Sequence, residues 1–154
     1  MKKKFITLSA AETEAAVLPG TLPVLVTFTL KVAKQKQPAV IAFFGGMGMG
    51  KTAFVRGLCR GVGYKGEVSS PTFAVVHEYE GGVLPVYHFD MYRISDAEDL
   101  YSCGFYDYLG CGILALEWSE NIVEALPEDF IKIEISRGNA DNVRKFVVEG
   151  ADTE

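Results

Sequence analysis

Lys51 and Thr52 stand directly behind four glycines crowded into residues 45–50, in the run FFGGMGMGKTAF (43–54). A lysine beside a hydroxyl after such a loop suits the binding of phosphate. Phosphate oxygens need many N–H donors aimed inward, so the backbone must come close and curl through dihedrals that other residues avoid. Glycine permits both. Gly45, Gly50, Lys51 and Thr52 satisfy G-x-x-x-x-G-K-[ST], with Gly46, Met47, Gly48 and Met49 as the intervening loop. In this motif, the P-loop, Lys51 would bridge the β and γ phosphates and the Thr52 hydroxyl would hold Mg²⁺. A helix starting near Lys51 would add the partial positive charge of its N-terminus. The bland alternative is a glycine-rich turn that binds nothing. It leaves unexplained why so much backbone order is given up in one place.

Such a loop needs acids to manage the metal and the water. Asp90 ends the apolar run LPVYHFD, and Glu117 ends ILALE. An acid that terminates a buried strand stands at the sheet edge where ligands of α/β folds collect. There it holds the metal, directly or through water, or orients the attacking water. The two histidines, His77 and His88, fall on opposite arms of an expected hairpin and could pair across strands. They read as structural, because no cysteine or further histidine nearby suggests a metal site. Arg56 and Arg60 share a helix face by their i,i+4 spacing, most simply a solvated one. DYLG (107–110) mimics the D-x-x-G of GTPases, but it follows CGFY rather than a strand, and no N-K-x-D occurs.

The elements that must position these residues follow from periodicity and punctuation. Val40–Phe44 reads as a buried strand before the loop, and 51–60 as a helix stopped by Gly61 and Gly63. The stretch TFAVVHEYEGGVLPVYHFDMY reads as a hairpin turning at Gly81–Gly82. Ser95 to Glu98 reads as a capping box opening a short helix that ends near Gly104. ILALE (113–117) is another buried strand, and FIKIEIS and RKFVVEG form a closing antiparallel pair. Residues 22–33 support no firm assignment, since Pro19, Gly20 and Pro23 argue against one long helix. The sum is an α/β chain with a P-loop NTPase-like fold: a mixed, mostly parallel sheet with flanking helices and antiparallel hairpins.

The whole chain fits that picture. Its 154 residues suggest one domain, 1–154, large enough to bury a core. A net charge of −5 argues against a protein that grips nucleic acid alone. Cys59, Cys103 and Cys111 lack metal-type spacing and cannot all pair, which fits a reducing compartment and idle or buried thiols. The start MKKKFITLSAAETE has a basic end, but its apolar stretch is too short and too interrupted for a secretory signal. LPVLVTFTLKVA (22–33) falls far short of a bilayer span. The expected location is the cytoplasm, away from membranes.

GGMGMGKTAFVRGL, SSPTFAVVHEYEGG, VYHFDMYRISDAEDL, GFYDYL and ALEWSENI follow one another in this chain. From about Val40 to about Pro127, their order and spacing resemble the bacterial tRNA threonylcarbamoyladenosine biosynthesis ATPases, the TsaE family. The resemblance implies a small P-loop ATPase binding ATP and Mg²⁺ and working with two partner proteins, TsaB and TsaD. Together they modify the adenosine beside the tRNA anticodon, adenosine 37. It further implies that another subunit transfers the threonylcarbamoyl group, that ATP hydrolysis resets the complex between turnovers, and that tRNA is met only through the complex. Carried over by position, Thr52 and Glu117 look like the Mg²⁺ ligands and Asp90 like the acid near the nucleotide. Thr72 in SPTF resembles a switch residue on the γ-phosphate side. Glu120 and Thr13 are similar to residues that approach the nucleotide, and Trp118 follows the glutamate as in the family. The chain departs from the family's G-D-L-G-A-G-K-T at Gly46, Met47 and Met49, and from its continuous helix over 15–37.

Two other functions compete. A small-molecule kinase would share the loop, but it normally adds an arginine-bearing lid, which Arg93 alone does not make. A nucleotide-dependent, non-enzymatic binding module is opposed by the presence of Lys51, Thr52, Asp90 and Glu117 together.

Overall fold

The computed structural model describes residues 2–7, 37–46, 50–71 and 74–150. Thr13, Met47, Gly48, Met49, Thr72 and the ambiguous stretches 15–37 and 22–33, all but residue 37, lie outside the described residues. Among the described residues seven strands form one sheet: β1 Lys2–Thr7, β2 Ala39–Phe44, β3 Val76–Tyr79, β4 Val86–Asp90, β5 Ile113–Glu117, β6 Ile131–Arg137 and β7 Arg144–Glu149. Across the sheet their order is β1-β7-β6-β2-β5-β4-β3. β4, β5, β2 and β6 are mutually parallel, while β3, β7 and β1 each join by an antiparallel pairing. The mixed sheet with antiparallel hairpins is therefore as the sequence indicates. Strand β1 was not anticipated in the lysine-rich start.

The central strands read as they do because both of their faces are covered. All five residues of β4 and all five of β5 are buried. Alternate residues enter different layers. Ile41, Phe43, Ile113 and Ala115 pack with Phe54, Val55 and Leu58 of helix α1, Lys51–Gly61. Leu114, Leu116, Tyr87 and Phe89 pack on the other side. There they meet Leu100 of α2, Ala97–Ser102, and Phe105 of α3, Phe105–Tyr108. The ring of Phe54 links the layers of the α1 side, lying 5.1 Å from Phe43 and 6.0 Å from Phe146 of β7. Near the edge, β6 alternates buried Ile131, Ile133 and Ile135 with more exposed partners.

One local expectation is corrected. The cap of α2 is Asp96, one residue beyond Ser95. The extended Asp96 accepts the Asp99 N–H at 2.8 Å. Ser95 instead donates its N–H at 3.0 Å and its hydroxyl at 2.7 Å to the Asp99 carboxylate. Only half of a capping box is kept: Asp96 caps the Asp99 N–H, while the Asp99 carboxylate reaches back to Ser95 rather than to the Asp96 N–H. Among the described residues no helix is long and apolar enough to cross a membrane.

Candidate functional site

The carboxyl ends of β2, β4 and β5 meet the N-terminus of α1 at one edge of the sheet. Gly45 leaves β2 with φ +138°, and a Cβ there would lie 2.4 Å from the Ile135 carbonyl oxygen of β6. Both the dihedral and the close approach demand glycine. Gly50 caps α1 in the left-handed region, φ +97°. It offers no side-chain cap, and the first turn of α1 holds no acid. The helix thus presents its N-terminal N–H groups and partial positive charge without a carboxylate of its own to neutralise them.

Parity and register bring the acids to this point. Asp90 and Glu117 are opposite one another in the parallel β4–β5 pairing. Glu117 follows Ile113 and Ala115 at two-residue spacing, so it shares the face that packs against α1. Thr52, in the first turn of α1, donates its hydroxyl to Glu117 Oε1 at 3.0 Å. His88 Nε2 lies 2.8 Å from the same oxygen. Asp90 Oδ1 accepts the Tyr92 N–H at 3.0 Å. Glu117 and Asp90 are only 5% and 7% exposed, unusual for carboxylates.

Lys51 is also buried, and its Nζ sits 4.2 Å from the centre of the Trp118 ring. Burial pulls its pKa below the ordinary 10.5, while the carboxylates of Glu120, Glu117 and Asp90 oppose the shift. A desolvated cation among three acids at a helix N-terminus is the kind of perturbed cluster that marks candidate functional sites. Glu120 Oε1 accepts the Gly45 N–H at 2.7 Å, so this residue touches the loop itself. Phe44, Gly45, Gly46, Trp118, Glu120 and Ile135 are among the residues lining an open cleft of about 540 Å³ beside it.

Two non-glycine residues with positive φ flank the acids, Trp118 at +57° and Val75 at +67°. A bulky and a β-branched residue are strained there. Each is held in place. The buried Ser119 hydroxyl donates to the Leu116 carbonyl at 2.8 Å, closing the turn around Trp118. Val75 accepts the Asp90 N–H and donates to the Pro71 carbonyl, both at 2.9 Å.

Gly45, Gly50, Lys51, Thr52, Asp90, Glu117 and Glu120 therefore converge, with Gly46 on the rim. Arg56 is half-buried rather than solvated and donates to the Val68 carbonyl at 3.4 Å. The histidines do pair in register, His77 opposite His88. But His88 contacts the site's glutamate, which the purely structural reading missed. Its placement two residues before Asp90, on the same strand face, was the available signal.

The donors suit a hard cation shared with phosphate. Among the described residues no group of three or more His, Cys, Asp or Glu could form a metal cage. Mg²⁺ commonly takes one or two protein oxygens and completes its shell with water and substrate phosphates. Thr52 and Glu117, meeting at 3.0 Å, fit that requirement.

Comparison with known proteins gives one consistent result. A family model described as "Threonylcarbamoyl adenosine biosynthesis protein TsaE" matches residues 25–146. The chain is 41% identical over 114 residues to the tRNA threonylcarbamoyladenosine biosynthesis protein TsaE of Bacillus subtilis, covering 73% of this chain and 70% of that one. It is 36% identical over 114 residues to the protein of the same name from Treponema pallidum, covering 73% and 83%. Among solved structures, YdiB of Bacillus subtilis superposes with a TM-score of 0.71 at 30% identity, covering 99% of this chain and 87% of that one.

Proposed function

The chain belongs to the TsaE family of threonylcarbamoyl adenosine biosynthesis proteins, and from that premise we propose that it is the Mg²⁺-dependent ATPase subunit of this tRNA modification. The observation that carries the reading is the 3.0 Å contact between Thr52 and Glu117 at the start of α1, beside the glycine loop. It joins a phosphate-binding helix end to a buried acid on the neighbouring strand.

Each residue then has a task. The N–H groups of the loop and of α1 bind the phosphates, and Lys51 supplies the positive charge between the outer two. Thr52 and Glu117 hold the metal. Bound Mg²⁺ would neutralise charge that develops on the phosphate oxygens. Asp90, one strand over, orients the attacking water or a water of the metal. The Trp118 ring covers Lys51 and keeps bulk water from it, which strengthens the lysine's field. Glu120, bonded to the Gly45 N–H, sets the entrance of the loop.

The proposal extends to an assembly. TsaB and TsaD are the protein partners, and hydrolysis drives their turnover. The net charge of −5 suits a subunit that meets tRNA only through that complex, since non-specific RNA affinity rests on lysine and arginine neutralising phosphates. The three unpaired thiols suit the cytoplasm.

The test is ATP hydrolysis measured with and without the two partners, in wild type and Glu117→Gln. Hydrolysis should be slow alone and faster with both partners. The variant should keep nucleotide affinity and lose about 100-fold or more of the rate. An unaltered rate in Glu117→Gln would move the metal to Asp90, and no response to partners would detach hydrolysis from the complex.

A further inference from the structure

His88 is 0% exposed, and neither of its ring nitrogens is idle. Nε2 lies 2.8 Å from Glu117 Oε1. A carboxylate only accepts, so Nε2 carries the proton. Nδ1 lies 3.3 Å from the Tyr79 hydroxyl. That hydroxyl donates to the Ser69 carbonyl at 3.0 Å and accepts the Ser69 N–H at 3.3 Å. Tyr79 is 5% exposed, and burial pushes its phenol up to about 12, so it remains a donor. A continuous, largely buried line of hydrogen bonds therefore runs from Glu117 through His88 and Tyr79 to the Ser69 peptide.

The far end of the line is informative. Ser69 precedes Pro71, whose carbonyl accepts the Val75 N–H, and Val75 in turn accepts the N–H of Asp90. Ser69 is thus tied to Glu117 through His88 and Tyr79, and Pro71 is tied to Asp90 through Val75. The near end is equally specific. Both the Thr52 hydroxyl and His88 meet Oε1, so this oxygen is gripped from two sides and the plane of the carboxylate is set.

We propose that His88 is a positioning residue for Glu117, and that Tyr79 fixes His88 by anchoring it to the Ser69 peptide. Carboxylates and imidazoles around metals need such partners to hold their orientation, and losing one typically costs 10–100-fold in metal affinity or activity. The catalytic consequence rests on the reading of Glu117 as the metal-holding acid. The geometry of the line does not.

Two measurements test it, and the first needs neither ATP nor Mg²⁺. The chain has two histidines, so ¹⁵N spectra of labelled imidazoles resolve each one. In the ligand-free protein His88 should carry a proton on Nε2. Tyr79→Phe, which keeps the ring, should retain that proton and shift the Nδ1 resonance as its hydrogen bond is lost. An Nε2 without a proton, or an Nδ1 signal indifferent to Tyr79→Phe, would overturn the proposal even if the protein binds no nucleotide.

The second is calorimetry of nucleotide binding at varied Mg²⁺. His88→Leu should weaken the Mg²⁺ dependence about 10-fold and leave Mg²⁺-free binding unchanged, while His88→Gln, whose amide nitrogen can donate to the same oxygen, should restore most of the loss. Wild-type Mg²⁺ dependence in a folded His88→Leu would contradict the positioning role. Should that variant fail to fold, Tyr79→Phe carries the same comparison, with a smaller weakening expected and none contradicting the proposal.

Discussion

Gly45 and Gly46 are neighbours of one residue type with different reasons for being glycine. At Gly45 a Cβ would lie 2.4 Å from a backbone oxygen of β6, on a dihedral of +138° that L side chains rarely adopt. At Gly46 a Cβ would meet nothing within 4 Å. Gly45→Ala should therefore lower stability by about 1–3 kcal/mol, through strain and displacement of β6. Gly46→Ala should change it by less than about 0.5 kcal/mol, as surface substitutions usually do. Thermal unfolding of the two variants checks this, and equal losses would mean that the loop, not the β6 contact, sets the demand for glycine. Chemistry at this scale was legible where residue types recur at fixed spacing, as in Gly45, Gly50, Lys51 and Thr52. The Glu120 bond to the Gly45 N–H was not, because it spans 75 positions and depends on how β5's following turn folds back.

Helix α2 is six residues long and cannot stand on its own propensity. Its first turn is fixed by the Asp96 cap and by Ser95 bonding back to Asp99. These bonds, the Ser95 hydroxyl's first among them, hold the Asp99 carboxyl below its ordinary 3.8. A carboxylate whose folded pKa is lowered stabilises the fold above the ordinary value. It loses that contribution as pH falls through the lowered one. Ser95→Ala should move the Asp99 pKa upward, back towards 3.8, in an NMR titration. No movement would assign the shift to the helix end rather than to Ser95. The one-residue displacement of the cap shows what the sequence leaves open at element scale. SDAED offers both Ser95 and Asp96 as caps before the helix, and the structure uses Asp96 while Leu100 packs into the layer with Phe105. Strands were easier to read. β4 and β5 are continuous apolar runs ending in an acid, a pattern that central parallel strands require. β1 gave no such signal, since three lysines precede only Phe5, Ile6 and Thr7 and leave no apolar run to read as a strand.

At the scale of the molecule, the sheet places every proposed phosphate- and metal-handling residue among the described ones at one edge. The strand order explains why. β2 lies between β5 and β6, so its carboxyl end delivers the glycine loop beside Glu117 and against Ile135 at once. Asp90 follows one strand further on, in register with Glu117. The fold was legible because these strands are separated by turns with clear punctuation. The partnership of His88 with Glu117 was not, because it appears only once β4 and β5 are aligned. The central claim is that this edge binds nucleotide through its phosphates, with Lys51 as the buried cation that meets them. The most direct measurement is titration calorimetry of ATP with Mg²⁺ into wild type and Lys51→Ala. A charge-assisted contact in a desolvated site is worth about 1.5–3 kcal/mol, so the account predicts saturable one-to-one binding by wild type and roughly 10–150-fold weaker binding by the variant. Equal affinity in the two proteins, or no binding by wild type, would contradict it.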